Sequence, residues 1–315
     1  MKHFTSIDDV KNLTLLLSEA LKVSDAPFAH NSLGTNKTLG LIFFNPSLRT
    51  RLSSQRAAQN LGLSVIVMNI GSEGWKLEFA DRTVMDGNKA EHIKDAAAVM
   101  GQYCEIIGIR AFAGLDNREE DYQEKVLEAF KTYSGVPIIS LESATRHPLQ
   151  AFADSITIAK YKTIKRPKVV LTWAPHPRAL PQAVGNSFAA WMLQSDVDLV
   201  VTHPEGYELN EEITAGATIE YDQRKAFEGA HFVYAKNWSS YREYGQILRK
   251  DLDWTVTANK MALTNQGKFM HCLPVRRNVV VADAVIDSPN SLVQTQAANR
   301  VVAAQTILKQ MLLNS

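Results

Sequence analysis

Apolar, β-branched runs alternate with amphipathic segments along this chain, and that alternation restricts the fold more than any single motif does. Strand candidates cover 38–44, 64–69, 105–109, 137–140, 168–173, 198–202, 232–235 and 268–271. Helix candidates lie among them at 8–23, 51–61, 90–102, 122–133, 148–163, 181–193, 224–228 and 297–313. A helix between successive strands makes a parallel crossover, so the chain reads as α/β, with helices covering parallel sheets. At 315 residues it exceeds one typical core. Four strand candidates fall on each side of residue 150. The expectation is two doubly wound parallel-sheet domains with an interdomain cleft, the second opening near Arg166-Pro167-Lys168.

Composition excludes several function classes. A formal net charge of +1 gives no global attraction to nucleic acid or an acidic membrane, so any anion site must be local. Cys104 and Cys272 are the only cysteines and lie far apart, which fits a reducing compartment. The first residues lack the apolar core of a signal peptide, and no run approaches the ~20 apolar residues that span a bilayer. A cytoplasmic protein is expected. Neither G-x-G-x-x-G nor a Walker-type loop follows any strand, and C-x-x-C and H-E-x-x-H are missing, so no cofactor and no metal are expected.

In open α/β sheets, ligands sit beyond the carboxyl ends of strands. The unusual polar residues here follow strand candidates: Ser47-Leu48-Arg49-Thr50-Arg51, Arg110, the group Glu142, His147 and Gln150, the pair His176 and Arg178, then His203, Lys236, and His271-Cys272-Leu273-Pro274 with Arg276 and Arg277. A helix starting near Ser47 would aim free N–H groups at an anion, and arginine forks match phosphate oxygens. Ser47 serves equally as a plain helix cap with Arg49 and Arg51 solvated. Arg110 and His147 suit an oxygen on which negative charge develops, and Gln150 suits an amide. His271 and Cys272, adjacent on a strand, would face opposite sides and would not pair. The chemistry expected is group transfer by positioning and electrostatics.

Ser47-Leu48-Arg49-Thr50-Arg51, His147-Pro148-Leu149-Gln150 and His271-Cys272-Leu273-Pro274, in that order and spacing, resemble the aspartate/ornithine transcarbamylases over nearly the whole chain. The resemblance implies a carbamoyl phosphate-binding domain at 1–150, completed by the C-terminal helix at 297–315, and an acceptor domain at 151–296. It also implies a homotrimer with active sites at subunit interfaces. Ser47, Leu48, Arg49 and Thr50 would bind phosphate. Arg110, His147 and Gln150 would hold the carbamoyl group. Cys272 and Leu273 would contact its amide and the attacking amine, and Arg300 would add a further contact. Thr50, Arg110, His147 and Cys272 would carry the catalysis, with Glu142 positioning the amine.

Ornithine enzymes of this family carry an Asp-x-Trp-x-Ser-Met-Gly loop whose aspartate faces a free α-ammonium group. Here the stretch reads Lys236-Asn237-Trp238-Ser239-Ser240. A lysine there repels an ammonium and tolerates an acylated nitrogen; the bland alternative is a solvated surface lysine. The loop Trp173-Ala174-Pro175-His176-Pro177-Arg178 resembles the acylornithine branch, which implies a trefoil knot in the second domain. Trp75 resembles the tryptophan that this branch inserts from a neighbouring subunit. Acetylornithine enzymes place a glutamate where Ala90 stands and a lysine where Val280 stands. Both departures favour succinyl, so the expected substrates are carbamoyl phosphate and N2-succinyl-L-ornithine, and the expected pathway is arginine biosynthesis. Arg178 would meet the distal carboxylate and Lys236 or Arg276 the α-carboxylate, although Arg178 also suits pairing with a surface acid. An N-acetylornithine acceptor and a non-catalytic anion-binding module are the alternatives.

Overall fold

A computed structural model of the chain describes residues 1–314. It divides into two compact units, one of Met1–Gly114, Arg118–Leu149 and Arg300–Ser315, the other of Leu115–Asn117 and Gln150–Asn299.

In the first unit, strands β1 (Thr38–Phe43), β2 (Ser64–Asn69), β3 (Leu77–Glu78), β4 (Glu91–His92), β5 (Ile106–Arg110) and β6 (Ile138–Glu142) all pair in parallel. The main sheet has the order β2-β1-β5-β6, and β3-β4 form a separate pair. Leu39, Leu41, Ile42 and Phe43 are all buried, as expected when helices cover both faces of a parallel sheet. From β1 the chain goes to β2 on one side and later to β5 on the other. The switch point therefore lies between β1 and β5, where Phe43 is in register with Arg110.

In the second unit, β7 (Lys168–Trp173), β8 (Asp198–Thr202), β9 (Thr218–Glu220), β10 (Phe232–Lys236) and β11 (Lys268–Met270) form a parallel sheet of order β11-β10-β7-β8-β9. Its switch point lies between β7 and β10, where Trp173 is in register with Lys236. Phe227, Val233, Phe269 and Val281 are fully buried in its core.

Several elements differ from the sequence reading. The first α-helix starts at Leu13, after a separate 3-10 turn at Ile7–Asp9, because Asn12 caps it by accepting from Leu15 N–H at 3.0 Å. Residues 90–92 are not helical: Glu91–His92 form β4, and the helix runs Ile93–Tyr103. The expected helix at 122–133 is broken, because Glu124 adopts a left-handed backbone (φ 46°) ahead of the helix Lys125–Tyr133. β9 is an edge strand with two of its three residues exposed, so it had no apolar run to reveal it. The strand expected at 268–271 stops at Met270, which leaves His271 and Cys272 beyond it. Strand alternation therefore does not govern that pair. The last helix, Val293–Leu312, starts four residues earlier than expected. Among the described residues, no helix is long and apolar enough to cross a membrane, and no His/Cys/Asp/Glu group could hold a metal.

Candidate active site

In the first unit the chain leaves β1, turns at Asn45-Pro46 and enters the helix Leu48–Asn60. Ser47 is the cap: its Oγ accepts from Thr50 N–H at 3.3 Å. Capping and anion binding do not exclude each other here. The cap fixes the first turn, and the turn's remaining N–H groups stay aimed beyond the end of β1. Thr50 is buried, and its Oγ1 accepts from Arg300 Nη2 at 2.6 Å, which leaves the hydroxyl hydrogen free to donate.

Arg110 ends β5 and is held on several sides. Its Nη1 donates to Asn45 O (2.9 Å) and Pro46 O (2.5 Å), and its Nη2 to Glu142 Oε2 (3.1 Å). The guanidinium carbon lies 4.0 Å from the Phe112 ring centroid. Burial pulls the Arg110 pKa below its ordinary value, while the carboxylate of Glu142 opposes that pull. Glu142 Oε2 also lies 3.5 Å from His147 Nε2. The buried Nε atoms of Arg49 and Arg110 find no acceptor within the protein. Buried donors normally have partners, so these two suit the oxygens of a bound anion.

In the second unit the loop after β7 lies beside the end of β10. Asn237 Nδ2 donates to Ala174 O at 2.8 Å, and Ser239 N–H donates to Leu180 O at 2.9 Å. Gln182 Nε2 reaches Ser239 O at 2.8 Å. Arg178 N–H donates to His176 Nδ1 at 3.1 Å. Burial lowers the His176 pKa most; the hydrogen bond with the Arg178 backbone opposes this, and the charges of Lys236, Arg276 and Arg178 add to the lowering. The charges of three cations thus reach one half-buried imidazole at the switch point. Such a group suits a ligand carrying more than one carboxylate.

The same unit holds a buried polar set on the helix Pro148–Tyr161 and the segment after β11. Gln150 Nε2 donates to Asp154 Oδ1 at 2.7 Å, and the buried Gln150 Oε1 finds no donor within the protein. Cys272 is buried and Leu273 half-buried; Leu273 N–H donates to His271 Nδ1 at 2.8 Å.

Two family models match the chain: the aspartate/ornithine carbamoyltransferase carbamoyl-P binding domain over residues 2–160, and the Asp/Orn binding domain of the same name over residues 181–311. The chain belongs to the aspartate/ornithine carbamoyltransferase family. It is 56% identical over 314 residues to an N-succinylornithine carbamoyltransferase of Bacteroides thetaiotaomicron, covering 99% of each chain. It is 37% identical over 333 residues to an N-acetylornithine carbamoyltransferase of Xanthomonas campestris, covering 98% of this chain and 97% of that one. A solved mutant of N-acetyl-L-ornithine transcarbamylase, complexed with carbamyl phosphate and N-succinyl-L-norvaline, superposes with a TM-score of 0.91 at 34% identity, covering 99% of this chain and 100% of that one.

The first unit thus groups Ser47, Arg49, Thr50, Arg110, Glu142, His147 and Arg300. The second groups His176, Arg178, Lys236 and Arg276 in one place, and Gln150, Cys272 and Leu273 in its buried polar set. Leu48 is exposed on the first turn of its helix. Trp75 and Ala90 share an exposed stretch of the first unit: Trp75 Nε1 donates to Glu91 Oε2 at 2.8 Å, and Ala90 N–H donates to Lys76 O at 3.0 Å. Sequence reasoning missed the carbonyls of Asn45 and Pro46, which have no side-chain signature. It also missed Glu124, whose carboxylate accepts from Ser143 Oγ (2.6 Å), Thr145 N–H (2.8 Å) and Thr145 Oγ1 (2.5 Å) in the turn before His147. Asp154 had a usable signal: it is the only acid on the helix Pro148–Tyr161, four residues after Gln150.

Proposed function

We propose that this chain transfers the carbamoyl group of carbamoyl phosphate to the δ-amine of N2-succinyl-L-ornithine, giving N2-succinyl-L-citrulline and phosphate, in arginine biosynthesis. The observation that carries the acceptor is the end-to-end identity of 56% with a relative named for N-succinylornithine, against 37% with one named for N-acetylornithine. Two features of the chain support it. The group Arg178, Lys236 and Arg276 suits an acceptor with two carboxylates. Ala90 stands where the acetyl enzymes are expected to have glutamate, and the solved mutant complexed with N-succinyl-L-norvaline carries alanine in place of a glutamate.

The first unit holds the donor. Ser47, Leu48, Arg49 and the N–H groups of the first helical turn bind phosphate, with Arg300 acting through Thr50. The δ-amine nitrogen attacks the carbonyl carbon, and the carbonyl oxygen takes up negative charge. Thr50, Arg110 and His147 stabilise that oxygen, because preorganised donors need no reorientation as charge develops. Gln150 Oε1 and the Cys272-Leu273 segment receive the carbamoyl amide. Glu142, tied to Arg110 and His147, orients the incoming amine. The bond from carbon to the phosphate oxygen then breaks, and phosphate leaves with a proton from the amine. The second unit holds the acceptor, with Arg178 at the succinyl carboxylate, Lys236 or Arg276 at the α-carboxylate, and His176 beside them.

The working assembly is a cytoplasmic homotrimer in which Trp75 serves a neighbouring subunit's site. Trp75 is 59% exposed and Val84 80% exposed in the first unit, an arrangement that suits burial against another copy. Light scattering should report three chains per particle; a monomer that keeps full activity contradicts this part. The reaction is tested by incubating the protein with carbamoyl phosphate and, separately, N2-succinyl-L-ornithine, N-acetyl-L-ornithine, ornithine or aspartate, and measuring the ureido product. Turnover of N2-succinyl-L-ornithine above the other three is expected. Preference for any other acceptor overturns the assignment.

A further inference from the structure

Asp154 is fully buried on the helix Pro148–Tyr161, one turn after Gln150. Its Oδ1 accepts from Gln150 Nε2 at 2.7 Å and from Gln296 Nε2 at 2.7 Å. Gln296 Oε1 in turn accepts from His271 N–H at 2.9 Å, and His271 Nδ1 accepts from Leu273 N–H at 2.8 Å. A carboxylate offers acceptors only. Each glutamine must therefore turn its NH2 toward Asp154 and its carbonyl oxygen away from it. For Gln296 that oxygen fixes the backbone next to Cys272. For Gln150 it is the buried Oε1 that no protein group satisfies. One oxygen atom thus sets the orientation of both elements proposed to receive the carbamoyl amide. Leu273 sits in the left-handed backbone region (φ 54°), which is unfavourable for a leucine and needs such external support.

From this geometry we infer that Asp154 is a positioning residue for carbamoyl transfer: it selects the amide orientation of Gln150 that presents an acceptor to the carbamoyl NH2, and through Gln296 it holds the His271–Leu273 segment. The inference rests on the carbamoyl-transfer reading above. Asp154→Leu puts an apolar side chain of similar length there and removes the acceptor, so the NH2 groups of Gln150 and Gln296 both lose the partner that orients them.

The test is steady-state kinetics of the full-length protein in four forms: wild type, Asp154→Leu, Gln150→Ala and the double variant. Whichever acceptor the wild type carbamoylates is used, so a wrong acceptor sinks the functional assignment without touching this test. Asp154→Leu should lower kcat by about 10- to 100-fold, the size of loss that a small misplacement produces. The KM values for both substrates should stay within about threefold, since binding is largely retained. In the Gln150→Ala background the same change should cost only the part that runs through Gln296, about threefold to tenfold, because the part that runs through Gln150 is already lost. An equal loss in both backgrounds overturns the proposal, as does a wild-type kcat. Should Asp154→Leu fold poorly, Gln296→Leu leaves Asp154 and Gln150 in contact. It should lower kcat about threefold to tenfold by releasing the His271 backbone, and an unchanged kcat would contradict the proposed link.

Discussion

The two switch points of this molecule are built in opposite ways. At the end of β5 the Arg110 guanidinium is buried, hydrogen-bonded to two carbonyls and a carboxylate, and packed on a ring. Beyond β7 and β10, the charges of three cations act on an imidazole whose pKa burial lowers, and Arg178 and Arg276 are exposed. A site where charge develops during reaction benefits from donors that are already fixed. A site that sorts acceptors needs only complementary charge and room. The rigid half therefore suits the donor common to the family, and the looser half suits the acceptor by which its members differ.

Four substitutions or measurements test that contrast. Arg110→Ala should lower kcat by about 100- to 1000-fold, the usual loss for an oxyanion donor, with a much smaller effect on acceptor KM. A wild-type kcat would remove Arg110 from that role. On the proposed role of Ala90, Ala90→Glu should shift preference toward N-acetyl-L-ornithine by about 10- to 100-fold in the ratio of kcat/KM values, because it adds bulk and a negative charge that a succinyl carboxylate would oppose. A retained succinyl preference would mean that Ala90 is not the selector. Arg178→Ala should raise KM for N2-succinyl-L-ornithine about tenfold with kcat nearly unchanged, the signature of lost ground-state binding. A kcat loss as large as that of Arg110→Ala would erase the distinction between the two halves.

The smallest effect concerns His176. Its folded pKa is lowered, so the unfolded chain binds protons first, and stability falls as pH drops through the ordinary histidine value of about 6.5 toward the depressed one. A bound carboxylate should reverse the shift. Binding of N-succinyl-L-norvaline to the protein with carbamoyl phosphate should then take up part of a proton below the ordinary histidine value, where the free protein holds the imidazole neutral. Calorimetry in two buffers of different ionisation enthalpy detects it. His176→Asn should abolish the uptake; uptake that persists would place the proton elsewhere.

Much of the fold was legible because parallel strands buried on both faces read as continuous apolar runs: β7 and β8 have the expected ends, and so does the partly exposed edge strand β2, whose run is also apolar. β3, β4 and β9 were not legible: two- or three-residue strands with exposed positions leave no periodicity. The chemistry-bearing side chains were legible because arginine, histidine and glutamine at strand exits are conspicuous. Their supports were less so. Arg110 is held by main-chain carbonyls that any residue could supply, and Glu124 works through a left-handed backbone that no motif announces. Ser47 was ambiguous for a physical reason: capping a helix and preparing an anion site use the same hydroxyl and the same N–H groups.

The central claim is that the donor half is shared and the cationic acceptor half selects a succinylated ornithine. A competition measures it most directly: equal concentrations of N2-succinyl-L-ornithine and N-acetyl-L-ornithine in one vessel with limiting carbamoyl phosphate, the two ureido products being separated and counted. The ratio of products equals the ratio of kcat/KM values. The account predicts that N2-succinyl-L-citrulline dominates and that Arg178→Ala narrows the ratio. Equal products, or an excess of the acetyl product, would contradict it.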